Sequence, residues 1–239
     1  MTLADLREAV YRANIELAES ALVFGTFGNV SGADYETGLC AIKPSGVPYA
    51  TLTAADIVLV SIATSEVVAS ALRPSSDTPT HLELYRAFTC GGIVHTHSES
   101  ATALAQARLP VRCMGTTHAD YFHGDVPVTR PLTEAEVADE YERHTGLVIV
   151  ETFTAAGLSP DAVPGVLVAN HGPFTWGADP FDAVERARVL ERLASMDITG
   201  RLVAPGAERP AQYLVDRHYL RKHGAAAYYG QGGSKARRP

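Results

Sequence analysis

The first twenty residues carry apolar side chains at alternating steps of three and four. The positions concerned are Leu3, Leu6, Val10, Ala13 and Leu17. In an α-helix this spacing aligns them on one face, so the pattern predicts an amphipathic first helix. Similar patterns and helix-start signals predict further helices over residues 78–88, 99–107, 133–144, 180–198 and 211–223.

Short apolar runs between these helices predict β-strands at residues 39–43, 57–62, 67–69, 93–97, 111–115, 126–129, 147–152 and 166–170. Several of these runs follow one another without the roughly one dozen residues that a helical crossover requires, so such neighbours must pair antiparallel. The glycine-rich segment from Gly25 to Gly32 is interpreted as a loop. The whole pattern predicts an α/β fold, in which one mixed sheet is covered by helices in a single domain.

The composition is that of a soluble globular protein, and it argues against nucleic acid or a membrane as a partner. Of 239 residues, 46% are hydrophobic and 20% are charged. A net charge of −7 argues against nucleic-acid binding, which needs a basic footprint. No apolar run approaches the roughly 20 residues of a membrane-spanning helix, and the first 20 residues lack a signal-peptide layout, so we expect a cytoplasmic location. The cysteines, Cys40, Cys90 and Cys113, are too few and scattered for a disulfide framework.

Histidines are the chemically informative residues. His95 and His97 stand two positions apart in a predicted strand, where side chains at i and i+2 share a face. Such a pair is also common without a metal, but His171 follows another predicted buried strand. Three imidazoles with one open position suit a catalytic metal such as Zn²⁺ or Mn²⁺, and Asp77 could add a carboxylate. His118, His123 and His144 have no partner at ligand spacing. His81 lies in the first turns of a predicted helix, where it faces solvent or supports a ligand, and His218 and His223 lie on the last predicted helix, where a basic surface is the default.

Three segments could bind a phosphate. Ser75 and Ser76 directly precede a predicted helix, whose N-terminal amides and dipole favour an anion. The segment from Gly25 to Gly32 could wrap its amides around an anion with Asn29 donating, and residues 43–46 add a lysine and a tight turn. When the serines are considered alone, ordinary helix capping is the preferred explanation. Together with the metal candidates, the three segments predict one site for a small phosphorylated substrate.

Eight segments, in order through nearly the whole chain, resemble the class II aldolase family of metal-dependent sugar-phosphate enzymes. They are GNVSG (28–32), KPSGV (43–47), PSSDTPTH (74–81), GGIVHTHS (91–98), GTTHADYF (115–122), VIVETF (148–153), GVLVANHGPFTWG (165–177) and HYLRKHGAAAYYGQ (218–231). Aldolases of this family usually carry Glu where this chain has Asp77, which indicates the epimerase branch. Relatives often have a histidine just before the third metal ligand, whereas this chain has Ala169 and Asn170 before His171.

The resemblance implies a three-layer α/β/α fold with a mixed, mostly antiparallel sheet, spanning residues 1–231 as one domain. It implies a cyclic homotetramer with active sites at subunit interfaces, and one divalent metal per subunit, with Zn²⁺ expected and Mn²⁺ or Co²⁺ as alternatives. Residues 232–239 form a basic extension that we expect to be disordered.

The resemblance also implies roles for individual residues. The metal ligands would be Asp77, His95, His97 and His171. The phosphate and substrate contacts would be Gly28, Asn29, Lys43, Ser45, Gly46, Ser75 and Ser76. Asp120 and Tyr229 match the positions of the proton donor and acceptor, and we expect Tyr229 to act on substrate held by a neighbouring chain's Asp120 and metal. Thr116, Glu142 and His218 match positions close to the site.

The implied reaction is metal-dependent inversion of C4 in L-ribulose 5-phosphate, which gives D-xylulose 5-phosphate. The C4 hydrogen is β to the carbonyl and therefore not acidic, so the workable route breaks and remakes the C3–C4 bond. An aldolase acting on a related ketose phosphate is the alternative at the same site. A non-catalytic scaffold, like the head domain of adducin, is the alternative of a different class, and the three histidines argue against it.

Overall fold

The computed structural model describes residues 2–224 and 227–228, and its centre is one seven-stranded sheet. The strands are β1 (Asn29–Asp34), β2 (Leu39–Ile42), β3 (Val58–Ser61), β4 (Val67–Ala69), β5 (Gly92–His95), β6 (Gly165–Leu167) and β7 (Pro173–Gly177). Their order across the sheet is β4-β3-β2-β1-β5-β7-β6. All six strand pairings are antiparallel. Among the described residues, parallel pairing is confined to an isolated bridge between Val128 and Leu167.

Helices cover both faces of the sheet, which confirms the predicted three-layer α/β fold. They are α1 (Leu3–Glu19), α2 (Thr78–Ala87), α3 (Glu99–Gln106), α4 (Thr116–Ala119), α5 (Glu134–Ala138), α6 (Tyr141–Ala156), α7 (Pro180–Val203) and α8 (Gln212–His223). On one face, α1 and α7 pack against β1 and β5 in a cluster that includes Leu17, Val30 and Val184. On the other face, α2 and α6 contribute Leu82 and Ile149 to the largest core cluster.

The glycine-rich segment 25–32, which the sequence predicts as a loop, contains the first four residues of β1. The structure shows why a glycine stands inside a strand here. A Cβ on Gly32 would lie 2.8 Å from Val10 Cγ2 and 2.9 Å from Pro180 Cγ. Gly32 therefore allows α1 and α7 to approach the sheet closely, and it does not mark a turn. Strand β7 was likewise not predicted.

Residues 147–152 were predicted as a strand, and this prediction is wrong, because they lie within α6. The segment is rich in β-branched residues, which mimics a buried strand. Its burial is helical, however, since Val148, Ile149 and Phe153 are buried while Leu147 and Glu151 are exposed.

Two further predicted elements differ from the structure. The helix expected over 133–144 is divided into α5 and α6, because Glu140 between them adopts a left-handed backbone conformation with φ of 44°. Residues 111–115 and 126–129 form no strands, and only a single antiparallel bridge joins Val111 to Val126. Within the described part of the chain, none of the helices combines the length and apolarity required to cross a bilayer.

Candidate active site

Three histidines converge at one end of the central strands. His95 is the last residue of β5, His97 lies two residues beyond it, and His171 lies in the tight connection between β6 and β7. One nitrogen from each ring lies within 4.8 Å of the others. The Nε2 atoms of His95 and His97 are 3.1 Å apart. Two nitrogens bound to one tetrahedral zinc ion are about 3.3–3.4 Å apart, so this cluster has the dimensions of a metal site.

The sheet fixes the ring of His95. Its Nδ1 lies 3.0 Å from the carbonyl oxygen of Pro173, which can only accept a hydrogen bond. The proton of a neutral ring is therefore on Nδ1, and the lone pair of Nε2 faces the other two histidines. The ring also stacks on Phe174, its cross-strand partner in β7, with a centroid distance of 4.1 Å.

A tight turn positions His171. Asn170 adopts the left-handed conformation, with φ of 62°, and its Nδ2 donates to the carbonyl oxygen of Gln106. A Cβ on Gly172 would lie 2.6 Å from the carbonyl oxygen of Thr96, so this position requires glycine. Asn170 and Gly172 therefore shape the turn that holds His171 in the cluster.

Burial favours the neutral form of two of these imidazoles. It lowers the pKa of His171 to about 3, with further contributions from His95 and His97. Burial and the neighbouring His95 also lower the pKa of His97. A neutral imidazole retains the lone pair that a metal requires, so the cluster is prepared for a cation at neutral pH.

Asp77 and the three histidines line one cavity. Asp77 does not belong to the group of ligand atoms that lie within 4.8 Å of one another. Its Oδ2 accepts a hydrogen bond of 2.6 Å from Asn29 Nδ2. Burial opposes ionisation of Asp77, but His95, His81 and Asn29 hold the pKa of its carboxyl group below the ordinary value. Asp77 is therefore a carboxylate beside the cluster, and its role as a ligand remains a prediction.

Two of the three predicted phosphate segments are joined by backbone hydrogen bonds. Ser75 N donates to the carbonyl oxygen of Lys43, and Ser45 N donates to that of Arg73. Ser75 Oγ accepts hydrogen bonds from Asn29 Nδ2 at 3.1 Å and from Asp77 N at 3.3 Å. Its own hydroxyl proton therefore remains available to an anion in the cavity.

Lys43 is the unusual charge of the site. The residue is 2% exposed, and among the described residues no carboxylate lies within 4.0 Å of its ammonium group. Its Nζ reaches the carbonyl oxygens of Thr26 and Pro44 at 3.4 and 3.5 Å and lies 4.8 Å from the centroid of Tyr49. Burial lowers its pKa. A buried cation without a counter-ion is expensive unless an anion occupies the site, so Lys43 indicates an anionic ligand.

These groups line one cavity of about 380 Å³. Its lining residues are Thr26, Phe27, Gly28, Asn29, Lys43, Pro44, Ser45, Gly46, Ser75, Ser76, Asp77, His95, His97, Tyr141, Glu142 and His171. All four predicted metal ligands and all seven predicted phosphate contacts are among them, together with Glu142.

The remaining predicted residues lie elsewhere or outside the described chain. Asp120 follows α4, and Arg221 donates to both of its carboxylate oxygens, at 2.9 and 2.6 Å. His218 Nδ1 lies 3.1 Å from the same carboxylate. Neither Asp120 nor Thr116 nor His218 lines the cavity of its own chain in the described structure. Tyr229 and residues 232–239 lie outside the described residues.

The sequence analysis missed two aromatic residues of the cavity. Tyr141 Oη lies 3.4 Å from His171 Nδ1, and the ring of Phe27 lies 5.7 Å from that of His97. Each is adjacent in the chain to a residue that was predicted, since Tyr141 precedes Glu142 and Phe27 precedes Gly28. An aromatic residue beside a polar motif is too common a pattern to be singled out without the fold.

The fold and the three-histidine cavity have counterparts among known proteins. The family described as Class II Aldolase and Adducin N-terminal domain matches residues 8–198. The chain belongs to this family.

Solved structures of similar proteins extend the comparison. An L-fuculose 1-phosphate aldolase is 26% identical, with a TM-score of 0.74 over 90% of this chain and 94% of that one. The YgbL protein of Klebsiella pneumoniae, named only by the alternatives aldolase, epimerase or decarboxylase, is 26% identical, with a TM-score of 0.70 over 91% and 99%. L-fuculose-1-phosphate aldolase from Thermus thermophilus is 26% identical, with a TM-score of 0.63 over 87% and 99%.

Proposed function

We propose that the chain is an L-ribulose-5-phosphate 4-epimerase, which interconverts L-ribulose 5-phosphate and D-xylulose 5-phosphate. The observation that carries the proposal is one cavity that combines a three-histidine cluster with a buried lysine lacking a carboxylate partner among the described residues. The cluster suits the keto end of a sugar, and the lysine suits its phosphate. Asp77, at the position where aldolases of the family usually carry Glu, favours the epimerase.

Each end of the substrate has a matching set of groups. Ser75 and Ser76 precede the N-terminus of α2, and together with Lys43 and Gly46 they supply donors for a phosphate. His95, His97 and His171 would hold the divalent metal, with Asp77 beside them. A metal bound there supplies a Lewis acid that stabilises negative charge on the oxygens at C2 and C3.

The reaction is written with its protons balanced. A base removes the proton of the C4 hydroxyl, the C3–C4 bond breaks, and its electron pair stays on the three-carbon fragment as an enediolate. The two-carbon fragment, glycolaldehyde phosphate, is retained by its phosphate contacts while its aldehyde turns over. The C3–C4 bond then re-forms on the other face, and an acid returns a proton to the C4 oxygen.

Two faces of one aldehyde require proton transfer on two sides, for which we propose Asp120 and Tyr229. Because Asp120 does not line the cavity of its own chain, we propose that a neighbouring subunit supplies it, in a homotetramer with sites at the interfaces. The Arg221 and His218 hydrogen bonds outweigh burial and lower the pKa of Asp120, so it is a carboxylate at neutral pH and suits the base. This assignment replaces the expectation that one chain supplies both Asp120 and the metal ligands.

The test incubates metal-loaded protein with L-ribulose 5-phosphate and identifies the products by NMR. The epimerase yields D-xylulose 5-phosphate without free two- or three-carbon fragments, and it retains the C4 hydrogen when the reaction runs in deuterium oxide. Accumulation of dihydroxyacetone and glycolaldehyde phosphate would identify an aldolase. A parallel incubation with L-fuculose 1-phosphate, whose phosphate is on C1, tests the activity named for similar structures. If neither sugar phosphate reacts, the proposal is wrong.

A further inference from the structure

Tyr49 contacts two of the predicted phosphate segments from behind the wall of the cavity. It begins a short 3₁₀ helix, Tyr49–Thr51, in the connection between β2 and β3, and it is not among the residues that line the cavity. Its hydroxyl oxygen is 2.8 Å from the carbonyl oxygen of Gly28 and 3.1 Å from that of Phe27. Lys43 Nζ lies over its ring, 4.8 Å from the centroid. One side chain therefore joins the glycine-rich loop to the buried lysine.

The hydroxyl of Tyr49 is the donor in both hydrogen bonds, because a carbonyl oxygen can only accept. Burial raises the pKa of this hydroxyl, so it retains its proton at neutral pH. The proton is shared between two carbonyl oxygens, and it therefore holds two successive peptide planes, Phe27 to Gly28 and Gly28 to Asn29. Since both hydrogen bonds are made by one atom, removal of the hydroxyl releases both planes together.

The peptide plane between Phe27 and Gly28 decides where the amide of Gly28 points. A trans peptide unit is planar, and its N–H is directed opposite to its C=O. Because the carbonyl oxygen of Phe27 accepts from Tyr49, the N–H of Gly28 points away from Tyr49. This N–H has no acceptor among the described residues, although Gly28 lines the cavity. An unpaired amide donor on the wall of the cavity is available to an anion.

The ring of Tyr49 acts on the other segment. The contacts of the Lys43 ammonium group with carbonyl oxygens are long, 3.4 Å to Thr26 and 3.5 Å to Pro44, so they hold the group weakly. A cation over the face of an aromatic ring is attracted to it, and more strongly where water is excluded, as at a lysine that is 2% exposed. The ring supports the charge without saturating the N–H donors of Lys43, which stay available to an anion.

We propose that Tyr49 is a positioning residue for anion binding, whose hydroxyl orients the amide of Gly28 and whose ring holds the ammonium group of Lys43, so that both donors face the substrate phosphate. The inference rests on the proposed phosphate site. Tyr49 acts through Gly28 and Lys43 and needs no contact with the substrate. Its two contacts can be removed separately, because phenylalanine retains the ring and loses the hydroxyl, whereas leucine loses both.

A matched set of variants tests the proposal through the affinity of the metal-loaded protein for inorganic phosphate, measured by calorimetry. Tyr49→Phe should weaken phosphate binding by about 2- to 12-fold, the range for loss of one hydrogen bond. Tyr49→Leu should weaken it by a further factor of about 2–5, because the contact of the ring with the ammonium group is lost as well. The metal content of both variants should remain that of the wild type. Equal phosphate affinities of the two variants would overturn the role of the ring.

Tyr35→Phe is the control for a purely structural effect. The hydroxyl of Tyr35 also donates to backbone carbonyl oxygens, those of Tyr85, Phe88 and Cys90 at 3.0–3.2 Å, and none of these residues lines the cavity. Loss of this hydroxyl should lower the thermal unfolding temperature but leave phosphate affinity unchanged. Equal losses of phosphate affinity in Tyr35→Phe and Tyr49→Phe would overturn the proposal, and so would wild-type affinity in Tyr49→Phe.

An observation on the unmutated protein covers the case in which the Tyr49 variants do not fold. In nitrogen-15 NMR spectra the amide of Gly28 should shift when inorganic phosphate is added, and an unchanged Gly28 amide would refute the inference. Failure of the proposed function gives a different result. If the wild-type protein binds neither inorganic phosphate nor L-ribulose 5-phosphate, the phosphate site itself is wrong, and the role of Tyr49 is refuted with it.

Discussion

His95 and His97 face each other through their Nε2 atoms, which lie 3.1 Å apart. Since Nδ1 of His95 donates to Pro173, the His95 Nε2 carries a lone pair toward its neighbour. Two lone pairs repel each other at this distance, so a proton or a cation must lie between the rings. A divalent metal meets this requirement when both rings present their lone pairs to it.

The first prediction concerns metal content. Purified protein should contain about one divalent transition metal per chain, since it has one such ligand set. Elemental analysis by mass spectrometry measures this. Exhaustive chelation should abolish epimerisation, and Zn²⁺, Mn²⁺ or Co²⁺ should restore it. His97→Ala should lower both the metal content and kcat. Full activity of metal-free protein would contradict the prediction.

The second prediction concerns Lys43. Lys43→Met keeps most of the side-chain volume but removes the cation, and it should raise KM for L-ribulose 5-phosphate by about 10- to 150-fold. This range corresponds to the loss of a charge-assisted hydrogen bond worth about 1.5–3 kcal/mol. Steady-state kinetics measure KM, and metal content should remain unchanged. Arg73→Met is the matched control, because Arg73 is exposed and does not line the cavity. Equal effects of the two substitutions would argue against a phosphate contact.

The third prediction concerns the source of Asp120. His97→Ala and Asp120→Asn variants should each be nearly inactive alone. When the two are dissociated and reassembled together, about a quarter of the sites in a cyclic tetramer combine intact histidines with an intact neighbouring Asp120. Activity should therefore reappear. Tyr229→Phe, paired with His97→Ala, tests Tyr229 in the same way. Mixed oligomers that remain inactive would show that Asp120 serves its own subunit or has no catalytic role.

The fourth prediction concerns pH and the free energy of unfolding of the metal-free protein. Burial lowers the pKa values of His81 and His171 to about 3, from an ordinary value of 6.5. Below pH of about 6.5 the unfolded state binds a proton at each ring and the folded state does not. Stability should therefore fall with decreasing pH, by up to about 1.4 kcal/mol per pH unit for each histidine. Urea titrations at several pH values measure this slope. His81→Gln should remove the contribution of one histidine, which is up to about 1.4 kcal/mol per pH unit.

The fifth prediction concerns the backbone that carries His95. A Cβ on Gly92 would lie 2.5 Å from both the Cα and the N of Pro180. These are backbone atoms, which cannot move aside as the end of a side chain can. Gly92→Ala should therefore lower the free energy of unfolding by at least about 1–3 kcal/mol, as overpacking does. Urea denaturation measures the change. Gly206→Ala is the control, since no atom lies within 4 Å of its added Cβ, and it should be neutral within about 0.5 kcal/mol.

Much of the site could be predicted from sequence because its residues stand in short, dense motifs. His95 and His97 are neighbours in one segment, and Ser75 and Ser76 directly precede a helix. The structure brings both segments to the same cavity, which the pattern of residues alone could not show. The hydrogen bonds between residues 43–45 and residues 73–75 join segments that are far apart in the sequence. No motif in either segment indicates the other as its partner.

The errors have identifiable physical causes. The run at 147–152 combines β-branched residues with helical burial, so its propensity and its packing disagree, and packing decides. Gly32 resembles a turn residue, yet it is required by the closeness of Val10 and Pro180. The pattern of residues along the chain also could not show that Asp120 lies away from the cavity of its own chain.

The order of the strands has a consequence for how the protein opens and closes. Asn29 and His95 lie on β1 and β5, which both have strands on either side, whereas Lys43 and Ser75 lie on connecting loops. Amides in central strands exchange with solvent only through large-scale unfolding, while loops open at a much smaller free energy. We therefore expect the phosphate side of the cavity to fluctuate on its own. Substrate could then enter and leave many times during the residence of a single metal ion.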